Sequence, residues 1–337
     1  MGLPYQTENY NEVVASTSIS TTSDPLTDLY ILEPNDTNST EITSQIENNF
    51  KPAWWLDYTN SYTNGSAHGR GSVAFNGGVL APNGKVILVP FGSSNIGICD
   101  PTVNNYSNGP GHGRGFGAFG GGVLAPNGKV ILVPRVSTVV GIYDPANNTY
   151  TNGPSHGRGA YAFFGGVLAP NGKVILAPAN SVAIGIYDPI ANTYTNGPTH
   201  GQPGGFSGAV LTPNGKVILV PYGSSNIGIY DPIDNTYTNG PAHGRGGSAF
   251  YGGALTPNRK VILVPNNSSV IGIYDPIANT YTNGPSHGRG SDAFYGGVLA
   301  LNGKIVLVPL NSTNVGIYGG GSLVYQNDTL SPYFNKF

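Results

Sequence analysis

The chain has 337 residues, of which 39% are hydrophobic and only 9% are charged. Its 15 basic and 17 acidic side chains nearly balance, which excludes the basic surface of a typical nucleic-acid-binding protein. A single cysteine, Cys99, excludes an intrachain disulfide, and no apolar run approaches the roughly 18 residues of a membrane span, so we expect no membrane span.

Residues 1–51 differ in composition from the rest of the chain. This segment is rich in Ser, Thr and Asn, shows little apolar periodicity and holds every glutamate of the protein, namely Glu8, Glu12, Glu33, Glu41 and Glu47. Such a polar segment lacks the apolar surface needed to fold alone, and it is typical of tails that order on a partner. We therefore predict an extended N-terminal arm.

The following residues, to about 318, contain six copies of one unit of about 44 residues. An Asp-Pro pair recurs at intervals of 44, 44, 43 and 44 residues, at Asp100, Asp144, Asp188, Asp231 and Asp275. Helical repeats of this length would need amphipathic runs of ten or more residues, which are absent from the unit. A repeat of this length made of short strands is typical of a propeller blade.

Each unit contains four strand-like pieces separated by turn residues. The first copy begins with Gly77 to Leu80, and an Ala-Pro-Asn-Gly turn leads to an unbroken apolar strand over 85–90. The third strand is Ile96 to Cys99, and an Asp-Pro turn precedes the fourth, which is clearest at Asn192 to Thr195. The pattern predicts an all-β, six-bladed β-propeller of four-stranded blades over residues 52–318.

The sixth copy lacks a clear fourth strand. A spare strand at 57–65, before the first blade, is expected to pair with it and so close the ring. A competing segment at 322–327, in the C-terminal tail of residues 319–337, aligns loosely with the same strand. We favour the N-terminal segment as the closing strand.

Two packing expectations follow from the repeat. The Gly-Gly-Val-Leu strands should line the axis, because small residues let the innermost strands converge. The isoleucine that precedes the last residue of each third strand should be buried between sheets. These residues are Ile98, Ile142, Ile186, Ile229, Ile273 and Ile317.

The six histidines and their neighbouring arginines form the candidate binding face. Loops from the fourth strand to the next first strand emerge at one end of a propeller, where a ring of imidazole and guanidinium groups is able to bind anions or acidic glycans. The favoured interpretation is structural, with each imidazole hydrogen-bonded to the neighbouring backbone. The ring consists of His68, Arg70, His112, Arg114, His156, Arg158, His200, His243, Arg245, His287 and Arg289.

Departures from the repeat are the other guide to a unique site. The fourth copy has Gln202 and Pro203 in place of Arg-Gly and is one residue shorter in that loop. The loop after the second strand varies most, as in residues 135–138 against residues 266–269. Variation in a surface loop indicates either recognition or tolerance, and tolerance is the default interpretation.

Catalytic residues are not apparent. The repeats contain no glutamate, and their repeated aspartates sit in Asp-Pro turns, where such side chains usually cap their own loop. The remaining Asp57, Asp234 and Asp292 are too few and too scattered to form a carboxylate pair. We therefore expect a protein that is not an enzyme and has no cofactor. We also expect no metal site, since ligands on separate blades lie too far apart for the roughly 2 Å bonds of one ion.

The repeat resembles two known families. Residues 229–238, Ile-Tyr-Asp-Pro-Ile-Asp-Asn-Thr-Tyr-Thr, resemble a Kelch repeat, although Val-Pro follows the second strand where Kelch carries Gly-Gly, and Tyr replaces the usual Trp. Residues 213–238 are more similar to the chlorovirus glycoprotein repeat, through Pro-Asn-Gly-Lys-Val-Ile-Leu-Val-Pro, Ile-Gly-Ile-Tyr-Asp-Pro and Asn-Thr-Tyr-Thr. That resemblance covers about residues 57–318 and implies a virion protein of a large algal DNA virus.

The functional expectation combines the arm with this resemblance. We expect a structural propeller at the capsid surface or vertex, anchored to capsid or other virion proteins by its N-terminal arm. The alternative is a host-attachment module that binds cell-wall glycans.

Overall fold

The computed structural model describes residues 65–202, 204–300 and 303–319, which contain β-strands and no helix. The described residues belong to the second of two compact units, residues 65–337; the first unit is residues 1–64. Within these ranges the protein therefore has no helix long and apolar enough to cross a membrane.

The first three blades have four strands each. Blade 1 contains β1 (Phe75–Leu80), β2 (Val86–Pro90), β3 (Asn95–Asp100) and β4 (Asn105–Gly111). Blade 2 contains β5 (Phe119–Leu124), β6 (Val130–Pro134), β7 (Val139–Asp144) and β8 (Thr149–Ser155). Blade 3 contains β9 (Phe163–Leu168), β10 (Val174–Pro178), β11 (Ala183–Asp188) and β12 (Thr193–Thr199).

The last three blades repeat the pattern, with three described strands in the sixth. Blade 4 contains β13 (Phe206–Leu211), β14 (Val217–Pro221), β15 (Asn226–Asp231) and β16 (Thr236–Ala242). Blade 5 contains β17 (Phe250–Leu255), β18 (Val261–Pro265), β19 (Val270–Asp275) and β20 (Thr280–Ser286). Blade 6 contains β21 (Phe294–Leu299), β22 (Ile305–Pro309) and β23 (Gly316–Tyr318).

Each blade is one antiparallel sheet whose strands follow chain order. In blade 2, Ile131 pairs with Val123 on one side and with Ile142 on the other. The tight turn between the first and second strands needs a positive φ, which the glycine of Ala-Pro-Asn-Gly supplies, for example 77° at Gly128. The all-β, six-bladed propeller predicted from the sequence is confirmed.

Both faces of blades 2 to 5 are apolar, and each face packs on a different neighbour. In blade 2, Val130 and Leu132 join a buried cluster with blade 1. Ile131 and Val133, which point the opposite way along the same strand, join a buried cluster with blade 3. The unbroken apolar run of the second strand is therefore explained by burial on both faces.

The first strands converge on the axis through glycine. A β-carbon placed on Gly165 would lie 3.5 Å from Cα of Gly208, and one placed on Gly208 would lie 3.2 Å from Cα of Gly252. Backbones approach this closely only where side chains are missing. The predicted lining of the axis by the Gly-Gly strands is confirmed for these blades.

The isoleucine expectation holds for four blades and is wrong for the last. Ile98, Ile142, Ile186 and Ile229 are buried, and Ile273 is half-buried. Ile317 is 58% exposed.

The environment of Ile142 explains this difference. A β-carbon on Gly153, in the fourth strand of its own blade, would lie 3.0 Å from Cδ1 of Ile142, and the adjacent blade covers the same face. Among the described residues, blade 6 has no fourth strand to cover Ile317 in this way. Both candidate closing strands, at 57–64 and 322–327, lie outside the described residues. The arm of residues 1–51 and the tail beyond residue 319 also lie outside them.

Replacing Ile142 by Ala should lower the free energy of unfolding by about 2 to 5 kcal/mol, because it leaves a cavity between two sheets. The same change at the exposed Ile317 should cost less than about 0.5 kcal/mol. Urea unfolding, followed by far-UV circular dichroism, measures the free energy of unfolding of both variants. Equal losses at the two positions would contradict the packing described here.

Candidate functional site

The two loops that carry the variable residues lie at one end of the propeller. Because strands alternate in direction, the loop from the fourth strand to the next first strand and the loop from the second to the third strand share that end. The Ala-Pro-Asn-Gly and Asp-Pro turns lie at the opposite end. We call the first of these the loop end.

The ring histidines are tied to the backbone at the loop end. In His156, Nε2 donates to the carbonyl oxygen of Ser137 at 2.7 Å, and Nδ1 accepts from the backbone N–H of Arg158 at 3.2 Å. The imidazole also contacts the rings of Phe163 and Tyr194 edge-on, with centroids 5.5 and 6.1 Å away. The same pair of hydrogen bonds recurs at His112, His200, His243 and His287.

Both contacts of each imidazole fit one tautomer of the ring. A carbonyl only accepts and an amide N–H only donates, so the tautomer with its proton on Nε2 satisfies both partners. Burial lowers the pKa of His156, His200 and His243, and the charge of the neighbouring arginine lowers the pKa of His156 and His243 further. The anchoring role preferred in the sequence analysis is confirmed for these histidines. His68, by contrast, is exposed.

The ring arginines connect each loop to the fourth strand of the blade that follows. Nε of Arg114 donates to Oδ1 of Asn152 at 3.0 Å, and the same contact is made by Arg70, Arg158 and Arg245. In the fourth copy, Nε2 of Gln202 makes the equivalent bond to Asn239 at 2.9 Å. The departure at Gln202 therefore preserves the contact. Ligand binding by this ring stays a prediction.

The aspartates of the Asp-Pro turns have structural partners at the opposite end. In Asp275, Oδ1 accepts from the backbone N–H groups of Ile277 and Ala278 at 2.9 and 3.0 Å, and Oδ2 lies 3.7 Å from Nζ of Lys260. Hydrogen bonds from the Ala278 and Ile277 amides lower the pKa of Asp275 below its usual value. These aspartates cap their own turns, as predicted.

A different group of residues meets around the axis at the loop end. They come from three positions of the repeat: the first residue of the loop after the second strand, the residues just before the first strand, and the second residue of the first strand. All six blades contribute. We call this group the axial cluster, and it consists of Phe91, Phe116, Arg135, Tyr161, Phe164, Tyr222, Tyr251 and Tyr295.

The side chains of the axial cluster form one continuous set of contacts, in which Arg135 joins separate groups of rings. The Phe164 and Tyr251 centroids lie 5.2 Å apart, although their first strands are two blades apart, so the contact is made across the axis. Tyr251 also stacks on Tyr295 at 4.2 Å, and their hydroxyl groups are hydrogen-bonded at 2.9 Å. Burial raises the pKa of the Tyr251 hydroxyl, so it remains protonated and able to donate.

Arg135 provides the positive charge of the axial cluster. Its Cζ lies 5.0, 4.6 and 4.9 Å from the ring centroids of Phe91, Tyr161 and Phe164, which is cation–π distance. Its Nε is buried and has no hydrogen-bond partner among the described residues. Asn266 occupies the equivalent position in blade 5, is 2% exposed, and has a buried Oδ1 that likewise lacks a described partner.

Of the positions in the axial cluster, the sequence indicated only the loop after the second strand, and it did not indicate a binding role for that loop. The loop that begins at Arg135 was recognised as the most variable, with tolerance as the default interpretation. The second residue of the first strand was not considered, although it is Asn, Gly, Phe, Ser, Tyr and Tyr in the six copies. The presence of an aromatic residue at this position in three of the six copies is the sequence signal that indicates the cluster.

Comparison with known proteins gives similarity of fold. No family model and no curated protein matches the sequence. Virginiamycin B lyase from Staphylococcus aureus is similar in structure, with a TM-score of 0.63 and 11% identity over 73% of this chain and 81% of that chain. A catalytically inactive variant of that enzyme solved with quinupristin gives 0.64 and 12%, covering 75% of this chain and 85% of that one. A streptogramin B lyase gives 0.61 and 13%, covering 69% and 75%.

These neighbours correct one expectation. The scattered carboxylates and the symmetry of the repeat predicted a chain that is not an enzyme. Solved structures with the same propeller fold include lyases. The prediction that the chain is not an enzyme was therefore wrong, because neither the fold nor the composition excludes one. At 11 to 13% identity the likeness shows the fold alone.

The buried histidines should make the fold acid-sensitive. The unfolded chain takes up protons near pH 6.5, whereas the folded pKa values of His156, His200 and His243 are lower, so the unfolded state binds more protons. The contribution of these histidines to the free energy of unfolding should therefore be fully present above about pH 6.5. It should be lost progressively as the pH falls from about 6.5 towards 5.

A matched variant tests the origin of this slope. Gln at the three histidine positions can still donate to the serine carbonyl but does not titrate, so the slope between pH 7 and 5 should flatten. The turn aspartates titrate below 3.8, outside this window. If the triple variant fails to fold, His243→Gln alone should reduce the slope. A slope that the substitutions leave unchanged would contradict the assignment.

Proposed function

We propose that this propeller is a glycan-binding module of a virion surface protein, and that the axial cluster is its binding surface. The observation that carries the proposal is the aromatic surface that six blades build together at the loop end. Within it, Phe116 is 64% exposed, Tyr161 45% and Tyr222 36%.

Exposed aromatic rings of this kind suit a carbohydrate ligand. Contiguous exposed apolar groups on a protein that is otherwise well packed mark an interaction site. Rigid rings offer flat apolar area to the C–H faces of a sugar, while the hydroxyl groups of Tyr161 and Tyr222 provide polar contacts at the edge. The repeat provides a rigid support, because the loops that carry the rings are fixed by the histidine anchors.

Substitutions borrowed from other blades allow a test that spares the fold. Tyr222→Ala introduces the residue of blade 3, Ala179, and Tyr251→Ser introduces the residue of blade 4, Ser207. Each should weaken binding at least about tenfold, or roughly 1.4 kcal/mol, because aromatic anchors carry most of the energy of a binding surface. Calorimetry with xylo-, manno- and cello-hexaose and with hexagalacturonate measures the affinities.

The matched control lies at the opposite end. Ile190→Ala replaces a residue that is 74% exposed with the residue of blade 2, Ala146, and should leave binding unchanged. Thermal unfolding checks that all variants are folded. The proposal is wrong if none of these sugars binds the wild-type protein, or if the axial and control variants bind equally well.

The placement on a virion is supported by the repeat's resemblance to chlorovirus glycoprotein repeats. The arm of residues 1–51, which lies outside the described residues, is then the segment that anchors the propeller to capsid or other virion proteins. An extended chain of this length reaches on the order of 150 Å, enough to cross neighbouring subunits. Among the described residues, each blade core is built from side chains of the blades themselves.

Deleting residues 1–49 should leave a soluble, folded propeller that no longer enters particles. Sugar binding by the truncated protein should be unchanged, because the axial cluster contains no residue of the arm. Co-sedimentation with particles, compared between the full chain and the truncated chain, measures incorporation. Normal incorporation of the truncated chain would rule out the anchoring role.

A further inference from the structure

The unpaired cation at the centre of the axial cluster indicates which glycan is bound. We infer that the axial cluster binds an acidic sugar, with the carboxylate of a uronic acid on the guanidinium of Arg135 and the sugar rings on the exposed rings of Tyr161 and Tyr222. This inference rests on the proposed glycan-binding function and narrows it to one class of ligand.

The first argument is the missing partner of Arg135. An arginine carries five N–H donors in a planar fork, and in proteins these are normally matched by carboxylates or carbonyl oxygens. Arg135 forms no side-chain hydrogen bond and no ion pair with a described residue, and its Nε is buried. Each buried donor left without an acceptor costs stability, so its retention needs a reason outside the fold.

The second argument is the position of that cation. Three rings hold the guanidinium carbon within 5.0 Å of their centroids, which fixes its orientation without neutralising its charge. Because these rings partly shield the half-buried guanidinium from solvent, an anion that reaches it meets a stronger field than it would at an open surface. The rings thus prepare the cation for an anionic ligand.

The third argument is the contrast with the ring arginines at the same end. Arg70, Arg114, Arg158 and Arg245 each donate through Nε to an asparagine of the next blade, and their contact recurs around the propeller. Arg135 has no counterpart in the other copies, where Phe, Ala, Tyr, Asn and Leu stand at its position. It is therefore not required by the repeat.

Asn266 is a second buried polar residue at the loop end whose side-chain oxygen has no described partner. It stands at the position equivalent to Arg135 and is 2% exposed. The equivalent residues Phe91, Arg135 and Tyr222 all direct their side chains into the axial cluster. A sugar hydroxyl is a donor that matches this oxygen, just as a carboxylate matches the guanidinium.

A carboxylate fits these observations better than other groups do. It is planar and accepts two parallel N–H bonds from one guanidinium, and a uronic acid joins it to the apolar ring face that the aromatic residues need. Neutral sugars would leave the charge of Arg135 unpaired. A ligand with a free carboxylate but no sugar ring would leave the tyrosine faces unused.

The test compares two ligands that share a sugar backbone and differ in whether their carboxyl groups are free or methyl-esterified. Hexagalacturonate and its methyl ester share one backbone, and calorimetry of the full chain should show the acidic form binding at least about tenfold tighter. Arg135→Asn, which introduces the residue of blade 5, should remove this preference. Tyr251→Ser should weaken both ligands to a similar extent.

The ring arginines supply the matched control. Arg114→Gln introduces the residue that blade 4 carries at Gln202, keeps the bond to the next blade, and removes one positive charge from the same end. It should leave the preference for hexagalacturonate unchanged.

The outcomes separate this inference from the proposed function. Equal binding of both ligands by the wild-type protein overturns the acidic preference while the glycan site stands. A preference that survives Arg135→Asn and disappears in Arg114→Gln assigns the acid to the histidine and arginine ring, and also overturns the inference. Failure of every sugar to bind overturns both.

Discussion

Each blade must pack against a neighbour of nearly the same sequence, and this constraint governs the rest of the structure. One face of a blade presents residues such as Ile131 and Val133, and the other presents residues such as Val130 and Leu132. Each face must fit its counterpart on the next copy. Positions that contribute to these interfaces therefore stay apolar in every repeat, with only small changes such as Ala177 and Ala254 in place of valine. The larger differences lie outside the interfaces.

The histidine loop extends the same constraint to the surface. An imidazole that donates to one backbone carbonyl and accepts from one backbone N–H fixes the loop between blades, and it does so with identical geometry in five copies. Such an imidazole is a poor candidate for binding an anion, because the fold already uses both of its nitrogens. Its repetition reflects a structural requirement shared by all blades.

The axis is where six equivalent positions meet and where identical residues would interfere with one another. Six large side chains at the second position of the first strand would not fit around a narrow channel, and six small ones would leave it empty. The chain has Phe164, Tyr251 and Tyr295 in three blades and Asn76, Gly120 and Ser207 in the others. The repeat thus supplies a rigid ring, and its departures at the axis produce one asymmetric surface.

The sequence by itself determined the strand order, the turns and the number of blades, because hydrophobic periodicity and turn chemistry are local and recur in every copy. It also indicated the anchoring role of the histidines. Only the tertiary structure decided that Ile317 is exposed while Ile142 is buried, since burial depends on which sheet lies opposite. Likewise, only the circular arrangement of the blades brings Phe91, Arg135 and Tyr295 to one end, because residues far apart in sequence become neighbours around the axis.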